Sequence, residues 1–234
     1  TNVALLNAFT REAELLAQLE HPHILPIHDF GIERDIPYMA LRLMSAGSLK
    51  NRVQDHGPLP FQEGVTLTRQ LASALDYIHS REMVNGELSR ANILFDSWGN
   101  PYIGNLFFAN LQAGGDETLA WSYAAPERWQ GEAATPASDQ YALAVVVYYM
   151  LSGVKPFQGR GQKLRDQHLN QPPPAPQTYR ADLPLAVNDV LNRALAKVPE
   201  NRYASASEFA DDFTRAIHSP DSVAGLKIDF LGLA

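Results

Sequence analysis

The chain has 234 residues, 45% of them hydrophobic, which is large for one domain and enough to bury a sizeable core. It has no cysteine, which excludes disulfides, zinc–thiolate sites and thiol catalysis. A formal net charge of −7 and the lack of any basic run argue against nonspecific nucleic-acid binding, which needs a basic patch facing phosphates.

In chain order, Phe9 to Leu19 reads as a helix, with Leu15, Leu16 and Leu19 on one side and Arg11, Glu12 and Glu14 elsewhere. His21-Pro22 ends it, because proline disfavours helical geometry in the residue before it. Ile24 to Phe30 and Pro37 to Leu43 read as two strands around a turn at residues 31–35. A long helix is expected from Pro60 toward Ser80, carrying Leu67, Leu71, Leu75 and Ile78 on one face. Two short strands follow, Asn92 to Phe95 and Tyr102 to Gly104, joined through Trp98-Gly99-Asn100.

The rest reads as helical. Ala142 to Leu151 is apolar almost all round, the mark of a helix at the centre of a domain. It is about half the ~20 residues that a membrane helix needs, so no membrane span is expected. Ala186 to Lys197 is amphipathic, and Ser205-Ala206-Ser207-Glu208 is a capping-box signature ahead of Phe209 and Phe213. No signal-peptide pattern is recognisable, and a cytoplasmic protein is expected. His21, His23 and His28 lie close together but have no metal-ligand spacing. Thr118 and Ser122 read as loop hydroxyls open to phosphorylation.

Three motifs carry a resemblance. The run Asn85-Gly86-Glu87-Leu88-Ser89-Arg90-Ala91-Asn92 has the frame His-Arg-Asp-Leu-x-x-x-Asn, with Leu88 and Asn92 matching. Asn105-Leu106-Phe107 stands at the place of Asp-Phe-Gly, and Ala125-Pro126-Glu127 is an intact Ala-Pro-Glu. From about Phe9 to about Ile217 the chain resembles the protein kinase superfamily, and it looks most like bacterial serine/threonine kinases. The fold this implies is α+β and two-lobed, with an incomplete N-lobe over residues 1–45, a mainly helical C-lobe over 46–218 and a tail over 219–234.

The resemblance also implies roles. Glu12 matches the glutamate of the N-lobe helix, and Leu41 the residue that guards the adenine site. Arg42-Leu43-Met44 matches the hinge, and Leu94 the leucine under the adenine ring. Asp139 matches the aspartate that anchors the catalytic loop, and Arg202 the arginine that pairs with Glu127. Val3-Ala4-Leu5-Leu6 is similar to the family's Val-Ala-Ile-Lys with Leu6 in the lysine slot, but Leu6 lies only six residues from Glu12, a shorter connection than the family's, and no Gly-x-Gly-x-x-Gly precedes it.

The departures fall on the chemistry. Glu87 replaces the base aspartate and is one methylene longer, a misplacement that can cost a factor of ~10² or more. Asn105 replaces the metal-binding aspartate, and magnesium favours anionic oxygens. Ser89 and Ala120 stand where a lysine and a threonine are usual, Gly86 removes the arginine that reads activation-loop phosphorylation, and Phe107 replaces a glycine. The expectation is a pseudokinase: a regulatory module that binds a protein partner and transfers little or no phosphate, with ATP left open as its one candidate cofactor. Magnesium binding is disfavoured, and Asn92 either ligates a metal or only braces the loop. Two alternatives stay open: an atypical active serine/threonine kinase with Glu87 as base, aided by Asp116 or Glu117, or a non-hydrolysing ATP-binding switch.

Overall fold

The computed structural model describes residues 3–104 and 121–219. Asn105, Leu106, Phe107, Asp116, Glu117, Thr118, Ala120 and the tail from residue 220 lie outside the described residues.

The chain opens with helix α1, Val3–Ala17. The Val3-Ala4-Leu5-Leu6 run, compared above with the family's Val-Ala-Ile-Lys, lies in the first turns of this helix. Phe9, Ala13 and Leu16 form its buried side and pack with Ile27, Phe30 and Met39. Leu15, expected inward, is 55% exposed. The register Phe9–Ala13–Leu16 follows helical steps of four and three, and it turns Leu15 away from the hairpin. Glu12 lies at the edge of this face, where burial pushes its carboxyl above the usual range.

The hairpin beneath α1 pairs β1, Ile27–Glu33, with β2, Ile36–Leu41. Glu33 faces Ile36 and Gly31 faces Tyr38. The turn is the two residues Arg34-Asp35, both at positive φ (50° and 65°), so it is shorter than the five residues expected. Paired positive φ values match the twist of antiparallel strands. The Tyr38 ring lies over Gly31: a Cβ there would sit 2.9 Å from the Tyr38 hydroxyl and would push this exposed ring aside, and that hydroxyl donates to Asp29 at 3.1 Å.

Beyond the hairpin come α2, Leu49–His56, and α3, Phe61–His79. Ser48 caps α2 by accepting from the N–H of Asn51, satisfying one of the helix's orphan donors. Strands β3, Ile93–Phe95, and β4, Pro101–Ile103, form a second small hairpin. Asp96 holds its turn, accepting from the N–H groups of Trp98 and Asn100 at 3.0 and 2.9 Å. His21 and His23 tie the preceding segment down, at 3.1 Å from Ser73 Oγ and 3.0 Å from the carbonyl of Pro101.

A short helix α4, Pro126–Trp129, precedes α5, Pro136–Ser152. Every residue of α5 from Ser138 to Ser152 is buried, as its all-round apolarity requires. Thr135 and Ser138 form a reciprocal capping box at its start, and Gly153 at φ 77° ends it, the left-handed position that glycine takes without strain. Helices α6, Gly161–Asn170, α7, Ala186–Ala194, and α8, Ala206–Ile217, complete the layer.

The core is the meeting of α3, α5, α7 and α8, with Leu71, Leu75, Tyr148, Leu191, Phe209 and Phe213 essentially closed to solvent. At the start of α8, Ser205 accepts from the N–H of Glu208 at 3.0 Å. The expected capping box is only half formed, because the Glu208 carboxylate takes the N–H of Ala204 instead of that of Ser205. Two further N–H groups, of Ala206 and Ser207, donate to the Asp76 carboxylate on α3 at 3.0 and 2.9 Å. No described helix is long and apolar enough to cross a membrane.

Candidate functional site

The loop from Asn85 to Asn92 is shaped from below by Asp139 on α5. Its carboxylate accepts from the N–H of Asn85 at 2.8 Å and of Gly86 at 2.7 Å. His79, at the end of α3, places Nε2 2.8 Å from the same carboxylate. Asp139 is 1% exposed, so these contacts replace the water it lost. Gly86 takes φ 72°, a left-handed conformation open to glycine at no steric cost.

Side chains of the loop brace the loop itself. Asn85 accepts from the N–H of Glu87 at 3.2 Å. Asn92 donates through Nδ2 to the carbonyl of Glu87 at 2.9 Å, which leaves its amide oxygen for another contact. Ser89 is buried at 4% exposure, and its carbonyl accepts from the N–H of Asn92.

Glu87 is half-buried. Burial pushes its carboxyl above the usual range, and the nearby Arg128 guanidinium opposes that shift. Glu87 and Arg128 share with Tyr123 and Ala125 a cavity of about 10 Å³, room for about one water.

The segment matched to the hinge is open. Leu43 is 87% exposed and Leu41 44%, while Met44 is partly buried. Arg42 points away, donating to Tyr102 at 2.9 Å and lying 3.7 Å from Asp96. Leu94 is partly buried, and its Cδ1 would lie 3.3 Å from a Cβ built on Gly104. Leu94 and Gly104 are thus packed against each other.

The metal half fits less well. Among the described residues no group of three His, Cys, Asp or Glu side chains is placed to hold a metal. Asn92 offers one neutral oxygen, and the residue at the second ligand position, Asn105, is also an amide. Two amides are a poor match for magnesium. Glu12 forms no ion pair among the described residues.

The structural pair is complete. Arg202 donates to Glu127 through two bonds of 2.7 Å, with the Arg202 side chain closed to solvent and that of Glu127 5% exposed. Sequence reading missed the partners His79, Asp76 and Arg128. Each lies far along the chain from what it touches, and only His79, at the end of an apolar helix face, carried a local cue. Ser122, read as an exposed hydroxyl, is 2% exposed and accepts from Lys155 Nζ at 2.8 Å.

Comparison with known proteins agrees with this geometry. Residues 2–214 match the protein kinase domain. The chain is 34% identical over 220 residues to the serine/threonine-protein kinase PknH of Mycobacterium bovis, covering 90% of this chain and 37% of that one. It is 33% identical to PknE of Mycobacterium tuberculosis and 30% to PrkC of Bacillus subtilis, covering 38% and 34% of those proteins. The chain therefore spans little more than a third of the length of these relatives. A crystal structure of Rad53 1-466 in complex with AMP-PNP superposes with a TM-score of 0.75 at 26% identity, covering 88% of this chain and 54% of that one. With a helix-dominated core, a loop hung on Asp139, a closed Arg202–Glu127 pair and a match over nearly its whole length, the chain belongs to the protein kinase family.

Proposed function

We propose that this kinase domain is a pseudokinase: a regulatory module that binds a protein partner and transfers little or no phosphate. One observation carries the reading. The loop backbone is held by Asp139 at Asn85 and Gly86, while the carboxylate at the base position belongs to the longer Glu87, partly desolvated and near Arg128. A base works only within hydrogen-bond reach of the proton it removes, and kinase catalysis is chiefly positioning and charge neutralisation. When bound, ATP with magnesium would supply the transferable phosphoryl group; the two amides Asn92 and Asn105 suit that cation poorly.

The relatives favour a second reading. All three are named serine/threonine-protein kinases and match over 90% of this chain, which supports an active kinase with Glu87 as its base. A phosphorylation assay with magnesium or manganese on purified full-length protein separates the two. No transfer above that of Glu87→Ala supports the module, whereas turnover that Glu87→Ala abolishes refutes it. We place the module in the cytoplasm, divided into a partial N-lobe over 1–45, a C-lobe over 46–218 and a tail over 219–234.

A further inference from the structure

Arg90 and Lys155 line one open depression of about 310 Å³, with Gly153, Val154, Gln158 and Gly159 completing its wall. That volume is at the lower end of ligand sites. Both cations are held in place from behind. The Arg90 guanidinium lies over the Tyr149 ring, 4.4 Å from its centroid, and its Nε is buried with no hydrogen-bond partner. Lys155 is fixed by its bond to the buried Ser122 hydroxyl. Gly153 and Gly159, at φ 77° and 134°, keep the rim free of side chains.

Neither cation of the pair is neutralised by a carboxylate among the described residues. Arg42, Arg52, Arg69, Arg180, Arg193, Arg202 and Arg215 each meet a carboxylate. Among the described residues Arg90 and Lys155 share this lack of a carboxylate with Arg11, Arg81 and Lys163, and what sets the two apart is that they line one depression, in a chain with seven more acids than bases (26 against 19). Burial, and then the charge of Arg90, hold Lys155 below the usual lysine range. Two partly desolvated like charges facing one cavity are unfavourable alone and are relieved by an anion.

We propose that this depression binds the phosphate of a phosphorylated serine or threonine on a partner protein. A phosphomonoester carries about −1.5 to −2 charges at pH 7, enough to match both cations, whereas one carboxylate leaves a charge unmatched. The planar arginine fork and the lysine point charge together suit a three-oxygen group. The choice of a protein ligand rests on the binding-module reading; the recognition chemistry does not.

The test is fluorescence anisotropy of the full chain with a phosphothreonine peptide pool of mixed flanks, its unphosphorylated counterpart and inorganic phosphate as competitor. The phosphorylated pool is expected to bind roughly tenfold or more tightly, the scale of one charge-assisted interaction, and to weaken with salt. Lys155→Gln is expected to abolish the preference and Lys155→Arg to retain it, with thermal melts checking the fold. Arg90→Gln is secondary, since the stack on Tyr149 also supports packing. Equal binding of the two pools, or an unchanged preference in Lys155→Gln, overturns the proposal. Inorganic phosphate competing at the peptide's own concentration overturns the peptide assignment. None of these readouts depends on phosphoryl transfer, so failure here leaves the kinase assay to decide the module reading by itself.

Discussion

Arg202 and Glu127 meet through two parallel bonds of 2.7 Å in a region closed to water. The same guanidinium donates to the carbonyls of Ala196 and Ala137 at 2.8 and 3.0 Å. One side chain thus ties the residues after α7 to the start of α5 and to α4. Glu127→Gln leaves a buried cation without its counter-charge, and a loss of about 3–5 kcal/mol is expected. Urea unfolding monitored by tryptophan fluorescence measures it; a change below ~1 kcal/mol would mean the pair is not desolvated in solution.

Asp76 is the tertiary cap of α8. Asp76→Ala removes the acceptor for the N–H groups of Ala206 and Ser207 while Ser205 still serves that of Glu208. A cost of about 1–2 kcal/mol is expected, at the upper end of cap deletions. Hydrogen exchange should show faster opening at the first turn of α8, with α3 protected as before.

Lys197 gives a dependence on alkaline pH. Its ammonium lies over the Phe157 ring, 4.3 Å from the centroid. Burial, and then Arg202, bring its pKa from 10.5 to about 8. Above about pH 8 the folded chain gives up this proton while the unfolded chain still holds it. Stability from this group therefore rises with pH between about 8 and 10.5 and is flat below. The difference in unfolding free energy between wild type and Lys197→Met should follow that slope; a pH-independent difference would show that Lys197 titrates normally.

Glu87 runs the other way. Its folded carboxyl holds a proton above the unfolded value of 4.5, so its contribution is present at acid pH and lost as pH rises through the raised value. At pH 7, Glu87→Gln is expected to melt at the same temperature or slightly higher. A clear fall in midpoint would show the carboxylate is needed ionised, as a structural anchor for Arg128 or otherwise.

Much of the C-terminal layer was legible because long helices repeat one face. Leu67, Leu71 and Leu75 fix the inner side of α3, and the unbroken apolar run of α5 leaves no solvent face to assign. The N-terminal part was harder. A small residue, Ala13, takes the central place in α1's packing while the larger Leu15 points outward, and side-chain size misleads there. Arg34 and Asp35 form the turn in a conformation that their identities signal only weakly. At the candidate site, the residue types at 87, 89 and 92 were plain. The burial of Ser89, the partial desolvation of Glu87 beside Arg128 and the support of His79 for Asp139 depend on segments brought together only by folding.

Asp139 grips peptide N–H groups, which every residue but proline supplies. The contour of the loop is thereby insulated from the identities of the side chains it displays. A shorter acid at position 87 could be grafted in with the backbone mould intact, so the domain keeps a socket into which chemistry can be fitted or from which it can be withdrawn.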